Sequence, residues 1–210
     1  MGVPSIRPSR PGDAEAVAAL VYETSQRMYD DLAGGRGRAV RLLARAFERR
    51  TTNASLDVFE VVELEGTVGA AMAAFPASEL RQRENAMMKF LLPRMLLRRL
   101  PRVLYLNVRA RLAAPRVPLD ALYVATLATD ARFRRRGLAR LLLARAEQRA
   151  RLLALPRLAL DTVASNVAAR ALYESAGFEP VSTTEPLRGV PSFVLYLKTV
   201  PEAAATRPAP

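Results

Sequence analysis

Residues 122–150, LYVATLATDARFRRRGLARLLLARAEQRA, join an apolar strand-like run to a leucine-rich helical pattern through a turn that packs four arginines around one glycine. At such a junction several backbone N–H groups have no partner within the helix, and the dipole end is positive. A strand-to-helix turn of this kind binds anions. Gly137 lets the backbone approach a phosphate closely, Ala139 keeps the next turn clear, and the arginines add long-range attraction for a polyanion. Leu138, Leu141, Leu142, Ala146 and Leu153 are expected to face inward and anchor the turn on a sheet. The string R-x-x-G-x-A is also what an ordinary solvated turn looks like in a chain with 32 Lys plus Arg, so its surroundings decide its meaning.

Downstream, RLALDTVA (157–164) reads as a strand, NVAARALYESAG (166–177) as a helix, and FEPVSTTE (178–185) and PSFVLYLK (191–198) as strands. Strand, helix, strand, helix is the alternation of an α/β layer, and the two closing strands are expected to pair antiparallel on its edge. Upstream, SIRPSRPGDAEAVAALVYETS gives a short strand, a turn at Pro11 and Gly12, an N-cap at Asp13 and a helix over 14–24. AGGRGRAVRLLARAFERR opens on glycines that lack phosphate-loop spacing and are read as a plain turn; a second helix follows with Val40, Leu43 and Phe47 on one face. DVFEVVELEGTVGAAMAAF breaks at Glu65 and Gly66, the signature of a hairpin with strands near 57–64 and 67–75. Residues 78–118 mix helical runs with Pro93, Pro101, Pro115 and Pro118, and residues 81–118 carry ten Lys or Arg against the single acid Glu84. Broken helices over a core edge are expected there.

The 210 residues, half of them hydrophobic, suffice for one sizeable core. A formal charge of +12 favours anionic partners. With no Cys and no His, the chain lacks thiolate nucleophiles, imidazole bases and the usual soft zinc ligands, which excludes Ser–His triads, zinc hydrolases and acyl-cysteine relays. No metal is expected. The N-terminal residues have no apolar stretch of signal-peptide length, Ile6 stands where myristoylation wants Ser or Thr, and no run approaches the ~20 apolar residues of a membrane span, so a cytoplasmic location is expected.

Residues 122–150 together with LALDTVASNVAARALYESAGFEPV (158–181) closely resemble the two core motifs of the GNAT N-acetyltransferase superfamily, and the N-terminal strand, helix and hairpin look like that family's first half. The fold expected is therefore α/β: a central mixed sheet of about six to seven strands flanked by helices, with a helical insertion at about 78–118 between the third and fourth strands. It would form a single domain over residues 1–198, followed by a disordered Ala/Pro-rich tail, 199–210. The resemblance implies that the turn wraps the pyrophosphate of acetyl-CoA, with Arg134, Arg135, Arg136, Gly137, Leu138, Ala139 and Arg140 as its ligands. It likewise implies that Leu127, Ala128 and Thr129 pair through their main chain with the pantetheine arm. Asn166 and Tyr173 fall on matching positions of the second motif, Asn166 starting a helix and touching the cofactor, Tyr173 protonating the departing thiolate. Read from the residues alone, Tyr173 is equally a core aromatic beside Leu172 and Phe178.

The activity implied is transfer of an acetyl group from acetyl-CoA to a primary amine of a small molecule, by direct attack in a ternary complex. Relatives with a glutamate base on the fourth strand place it where Tyr123 stands, and a tyrosine is a poor base near neutrality. Asp120 is the nearest carboxylate and is named as the catalytic base, beside its reading as a strand-entry turn residue; Glu60 and Glu63 are further carboxylates, expected on opposite faces of a strand. Tyr22, Tyr29, Tyr105 and residues 81–116 are expected to shape the acceptor pocket. Three alternatives stay open: a peptide or protein amine as acceptor, a non-catalytic acyl-CoA-binding protein, and a protein that binds anionic surfaces. Nucleic acid is not an expected partner, and a homodimer is the assembly considered.

Overall fold

The computed structural model describes residues 3–94 and 100–201. Seven strands form one sheet in the order β1-β2-β3-β4-β5-β7-β6. They are β1 (Ser5–Pro8), β2 (Phe59–Leu64), β3 (Thr67–Pro76), β4 (Ala121–Thr129), β5 (Arg157–Val163), β6 (Glu179–Thr183) and β7 (Phe193–Thr199). All neighbours pair antiparallel except β4 and β5, which run parallel. The mixed sheet flanked by helices is the expected α/β architecture.

The centre of the sheet is narrow because β3 reads VGAAMAAF. Its alanines let helices approach both faces: Ala71 and Ala73 belong to one core, Ala70, Met72 and Ala74 to the other, and all five are fully buried. The first face is covered by α1 (Ala14–Thr24), α3 (Arg36–Phe47) and part of α4 (Leu80–Leu91), the second by α6 (Leu138–Leu152) and α7 (Val167–Ser175). The hairpin turns at Glu65 (φ 52°) and Gly66 (φ 74°), the two left-handed positions a tight two-residue hairpin requires.

Several local expectations are corrected. The inward stripe of α6 is Leu138, Leu142, Leu143, Ala146 and Ala150, whereas Leu141 and Leu153 are 37% and 48% exposed. At 3.6 residues per turn the positions four apart share a face and Leu141 falls on the far side, while Leu153 lies past the helix end. Asp13 occupies the N-cap position of α1 as expected, but its side chain makes no capping hydrogen bond to the helix. Its carboxylate accepts from the Arg10 amide (2.6 Å) and from the Arg7 guanidinium (2.7 and 2.9 Å), closing the turn ahead of the helix. An additional helix, α2 (Gln26–Ala33), precedes the glycine turn, separated from α1 by the non-helical Ser25. Strand β2 begins at Phe59 because Leu56–Val58 form a single 3-10 turn.

Among the described residues the insertion contains α4, a 3-10 turn at Leu92–Arg94 and α5 (Leu100–Ala113), broken helices as the prolines imply. No helix among the described residues is long and apolar enough to cross a membrane. Strand β7 runs through Thr199, and residues 202–210 of the expected tail lie outside the described residues.

Candidate active site

The site begins where two strands part. β4 and β5 pair only through Ala121↔Arg157, Leu122↔Leu158 and Tyr123↔Ala159, although β4 continues to Thr129 and β5 to Val163. A bulge in β4, where Ala73 opposes Thr126 and Ala74 opposes Val124, adds the local twist that swings the strand away. Past Tyr123, β4 keeps its partner β3 on one side, and its other edge, which carries Leu127, Ala128 and Thr129, faces the fork.

At the far end of that edge lies the arginine turn. The Asp130 amide donates to the Gly69 carbonyl (2.9 Å) and its carboxylate accepts from the Arg132 amide (2.9 Å), which holds the 3-10 turn Ala131–Phe133 against the sheet. Gly69 admits the packing: a Cβ there would stand 3.1 Å from Leu138 and 3.2 Å from Phe133. Arg135 (φ 64°) and Gly137 (φ 79°) then take left-handed backbone, curling the chain into a concave cradle before α6 starts. The amides of Leu138, Ala139 and Arg140 open the helix and have no intrahelical carbonyl to bond. Space is open where a Gly137 Cβ would be, with nothing within 4 Å. Arg134, Arg135, Arg136 and Arg140 are exposed around it. Arg140 also donates to Ser175 Oγ (2.8 Å), tying the cradle to α7. Asn166 caps α7, its Oδ1 accepting from the Ala169 amide (3.2 Å).

At the near end, the Tyr123 phenol donates to Asp161 Oδ1 at 2.5 Å, joining the two parting strands at the mouth of the fork. Burial pushes the Asp161 carboxyl above the usual carboxylate range, with the Tyr123 hydrogen bond opposing. Burial and then the Asp161 charge push the Tyr123 phenol well above its ordinary value. Tyr173 is buried, its ring 5.7 Å from that of Tyr196 and 6.2 Å from that of Phe178, so the core reading holds for the ring. Its phenol is pushed up to about 12 by burial, and next by the Asp161 carboxylate. It is therefore protonated at neutral pH.

Asp161 and Tyr123 open onto a cavity of about 1030 Å³ between the sheet, α1–α4 and the segment after α5. Tyr29, Arg81, Arg111 and Arg116, all among the residues expected to shape an acceptor pocket, line it. Tyr22 instead donates to Asp30 from within the core, and Tyr105 is 49% exposed on α5. Asp120 sits in the turn before β4, 47% exposed and 3.7 Å from Arg157, and does not line the cavity. Glu60 faces α6, where Arg145 (2.8 Å) and Arg149 (3.3 Å) hold it, and Glu63 bonds Arg7 on the other face. Of the carboxylates that do line the cavity, Glu84 falls within the 81–116 expected there but is not among the expected bases, and Asp161 is a residue the sequence reading does not single out. Their signals were there: one acid inside the apolar strand LALDTV, and one acid among ten cations. Among the described residues, no group of three or more acidic side chains is placed to hold a metal ion.

Residues 108–178, which span β4 through α7, match the family model of the acetyltransferase (GNAT) family. This stretch carries the GNAT-family match, and the sheet around it has the GNAT fold. Solved structures agree in fold: an acetyltransferase (22% identity, TM-score 0.69, covering 94% of this chain and 100% of that one) and an N-acetyltransferase from Staphylococcus aureus (21%, TM-score 0.71, 92% and 99%). The ribosomal-protein-S18-alanine N-acetyltransferase from Escherichia coli is similar at 18% identity with a TM-score of 0.54, over 97% and 98% of the two chains. No curated protein matches the sequence. In this GNAT fold the fork, the cradle and the Tyr123–Asp161 pair lie in one continuous line along β4.

Proposed function

We propose that this protein is a GNAT acetyltransferase and transfers the acetyl group of acetyl-CoA to a primary amine of a small molecule, by direct attack in a ternary complex. The observation that carries it is the fork, with an anion cradle at one end and a buried carboxylate–phenol pair at the other. The acyl donor supplies an activated thioester. The backbone from Arg134 to Arg140, with Gly137 open and the arginines around it, receives the pyrophosphate. The β4 edge at Leu127, Ala128 and Thr129 pairs with the pantetheine amides, and Asn166 borders them from α7.

An alkyl ammonium with a reference pKa near ~10.4 must lose a proton before it attacks. The Asp161 carboxylate takes that proton, and its burial makes it a better base than an ordinary aspartate. Tyr123 fixes its orientation from the position where relatives carry a glutamate. The nitrogen bonds to the acetyl carbon, the carbon–sulfur bond breaks, the Tyr173 phenol gives its proton to the departing thiolate, and the second proton shed by the nitrogen restores the phenol. A concave cavity of about 1030 Å³ favours a small acceptor over a protein surface.

The test is calorimetric titration of acetyl-CoA into wild type and Gly137→Glu, with circular dichroism to show that the variant is folded. The added carboxylate fills the open cradle with bulk and negative charge. Binding to wild type that disappears in the folded variant is expected. A wild type that does not bind at low salt overturns the reading.

A further inference from the structure

We infer that the acceptor is a primary amine carried on a large apolar body, its ammonium drawn to Asp161 and Glu84 and its body filling the cavity beneath α2, α3 and α4. This rests on the acetyltransferase reading and narrows it to a substrate class. The first argument is shape and lining. The cavity wall contributed by α2, α3 and α4 includes Met28, Leu32, Leu43, Met87, Met88 and Leu91, with small residues such as Ala33 and Ala39 between them and Glu84 and Asn85 as its polar members beside Arg81. Unbranched methionines on two helices let such a wall fit aliphatic bodies of differing shape. A hydrophilic amine such as an amino acid or a polyamine would leave that wall in contact with water and gain nothing from it.

The second argument is the placement of charge. The chain carries a formal charge of +12, and ten cations fall within 81–118, yet the acids lining the cavity are Asp161, bound to Tyr123 at the fork, and Glu84 on α4. Arg111 and Arg81 act on the Glu84 carboxyl, but they and Arg116 are exposed, so solvent and salt screen them. Selection for a cation therefore sits at the end beside the fork, where the thioester would emerge. A third observation is an unspent acceptor. Asn53 lines the cavity, and its Oδ1 is buried with no hydrogen-bond partner among the described residues, a polar atom left unpaired in the cavity wall.

The experiment uses wild-type protein, saturating acetyl-CoA and a homologous series of straight-chain primary amines from ethylamine to decylamine, followed by thiol release. The measured kcat/KM is expected to climb by roughly fourfold per added methylene until the cavity is full. Calorimetry without acetyl-CoA is expected to show decylamine binding, with decanol and decanoate at least tenfold weaker. Met87→Lys, a half-buried position on the cavity wall, should flatten the chain-length slope. If acetyl-CoA binds and short or polar amines are acetylated with no dependence on chain length, the substrate class is overturned while the acetyltransferase reading stands. If acetyl-CoA does not bind but the amine series still shows the length and charge preference, the apolar-amine site stands and the acetyltransferase reading falls. Equal binding of decylamine, decanol and decanoate overturns the role of the two carboxylates.

Discussion

Replacing Asp161 with asparagine separates chemistry from structure at the fork. The substitution keeps the shape, and its carbonyl oxygen can still accept the Tyr123 hydroxyl now held at 2.5 Å. What it removes is one buried negative charge and the basicity that goes with it. A carboxyl whose pKa is raised above 3.8 holds its proton more tightly folded than unfolded, so the group lowers stability as pH climbs past its unfolded value, and that cost persists above the folded one. Asp161→Asn should therefore melt at the wild-type temperature or above it at neutral pH. Activity should move the other way. Loss of a positioned base costs about 10²- to 10⁴-fold, roughly 3–5 kcal/mol of transition-state stabilisation. An ammonium about 4 Å from the carboxylate would also lose an attraction on the order of 4 kcal/mol at an effective dielectric near 20. Thiol release followed across pH provides the assay. Wild-type kcat/KM should fall on the acid side as Asp161 protonates, and the variant should lack that limb. A variant within threefold of wild type, with the same pH profile, refutes the assignment of Asp161 as the base.

Tyr173→Phe keeps the ring contacts with Phe178 and Tyr196 and deletes one proton donor; thermal stability should hold within about 1 kcal/mol while kcat drops on the order of a hundredfold, with the loss recovered for thioester analogues whose thiols are more acidic. Glu60→Ala leaves Arg145 and Arg149, each partly exposed, facing an apolar sheet without a counter-charge, and urea unfolding should report a loss of about 1–3 kcal/mol with no change in acetyl-CoA affinity. Arg7 holds the Asp13 carboxyl below its usual range, chiefly through their hydrogen bond. That contribution is present above the unfolded value near 3.8 and is lost as pH falls through the lower folded one, so acid titration of stability should steepen below about pH 4 and flatten in Asp13→Asn.

The fold was legible because its strongest patterns are local. The strand–turn–helix of residues 122–150 and the Glu65–Gly66 hairpin each carry their periodicity and turn chemistry in fewer than thirty residues. The cradle was legible for the same reason, since Gly137 and the arginines are adjacent in the chain. The partner of Tyr123 was not. Asp161 is 38 residues away and reaches the phenol only because β4 and β5 lie side by side before they diverge. Asp120 is close in sequence, but it stands at the strand entry, turned toward Arg157. The face of α6 was misjudged at Leu141 because a leucine-rich run offers more than one apolar stripe, and only the sheet beneath chooses between them. The break at Ser25 carries no glycine or proline to announce it.

The fork also has a mechanical meaning. Three residue pairs stitch β1–β4 to β5–β7 across the middle of the sheet, so the seam is the place where the two halves can part without disturbing the ladders on either side. A ligand laid along the open edge of β4 with its head in the cradle closes that seam from within, and at a hundred times its dissociation constant adds about 2.7 kcal/mol to the folded state. The lifetime of the protein against proteolysis then becomes a reading of how much of that ligand its surroundings supply.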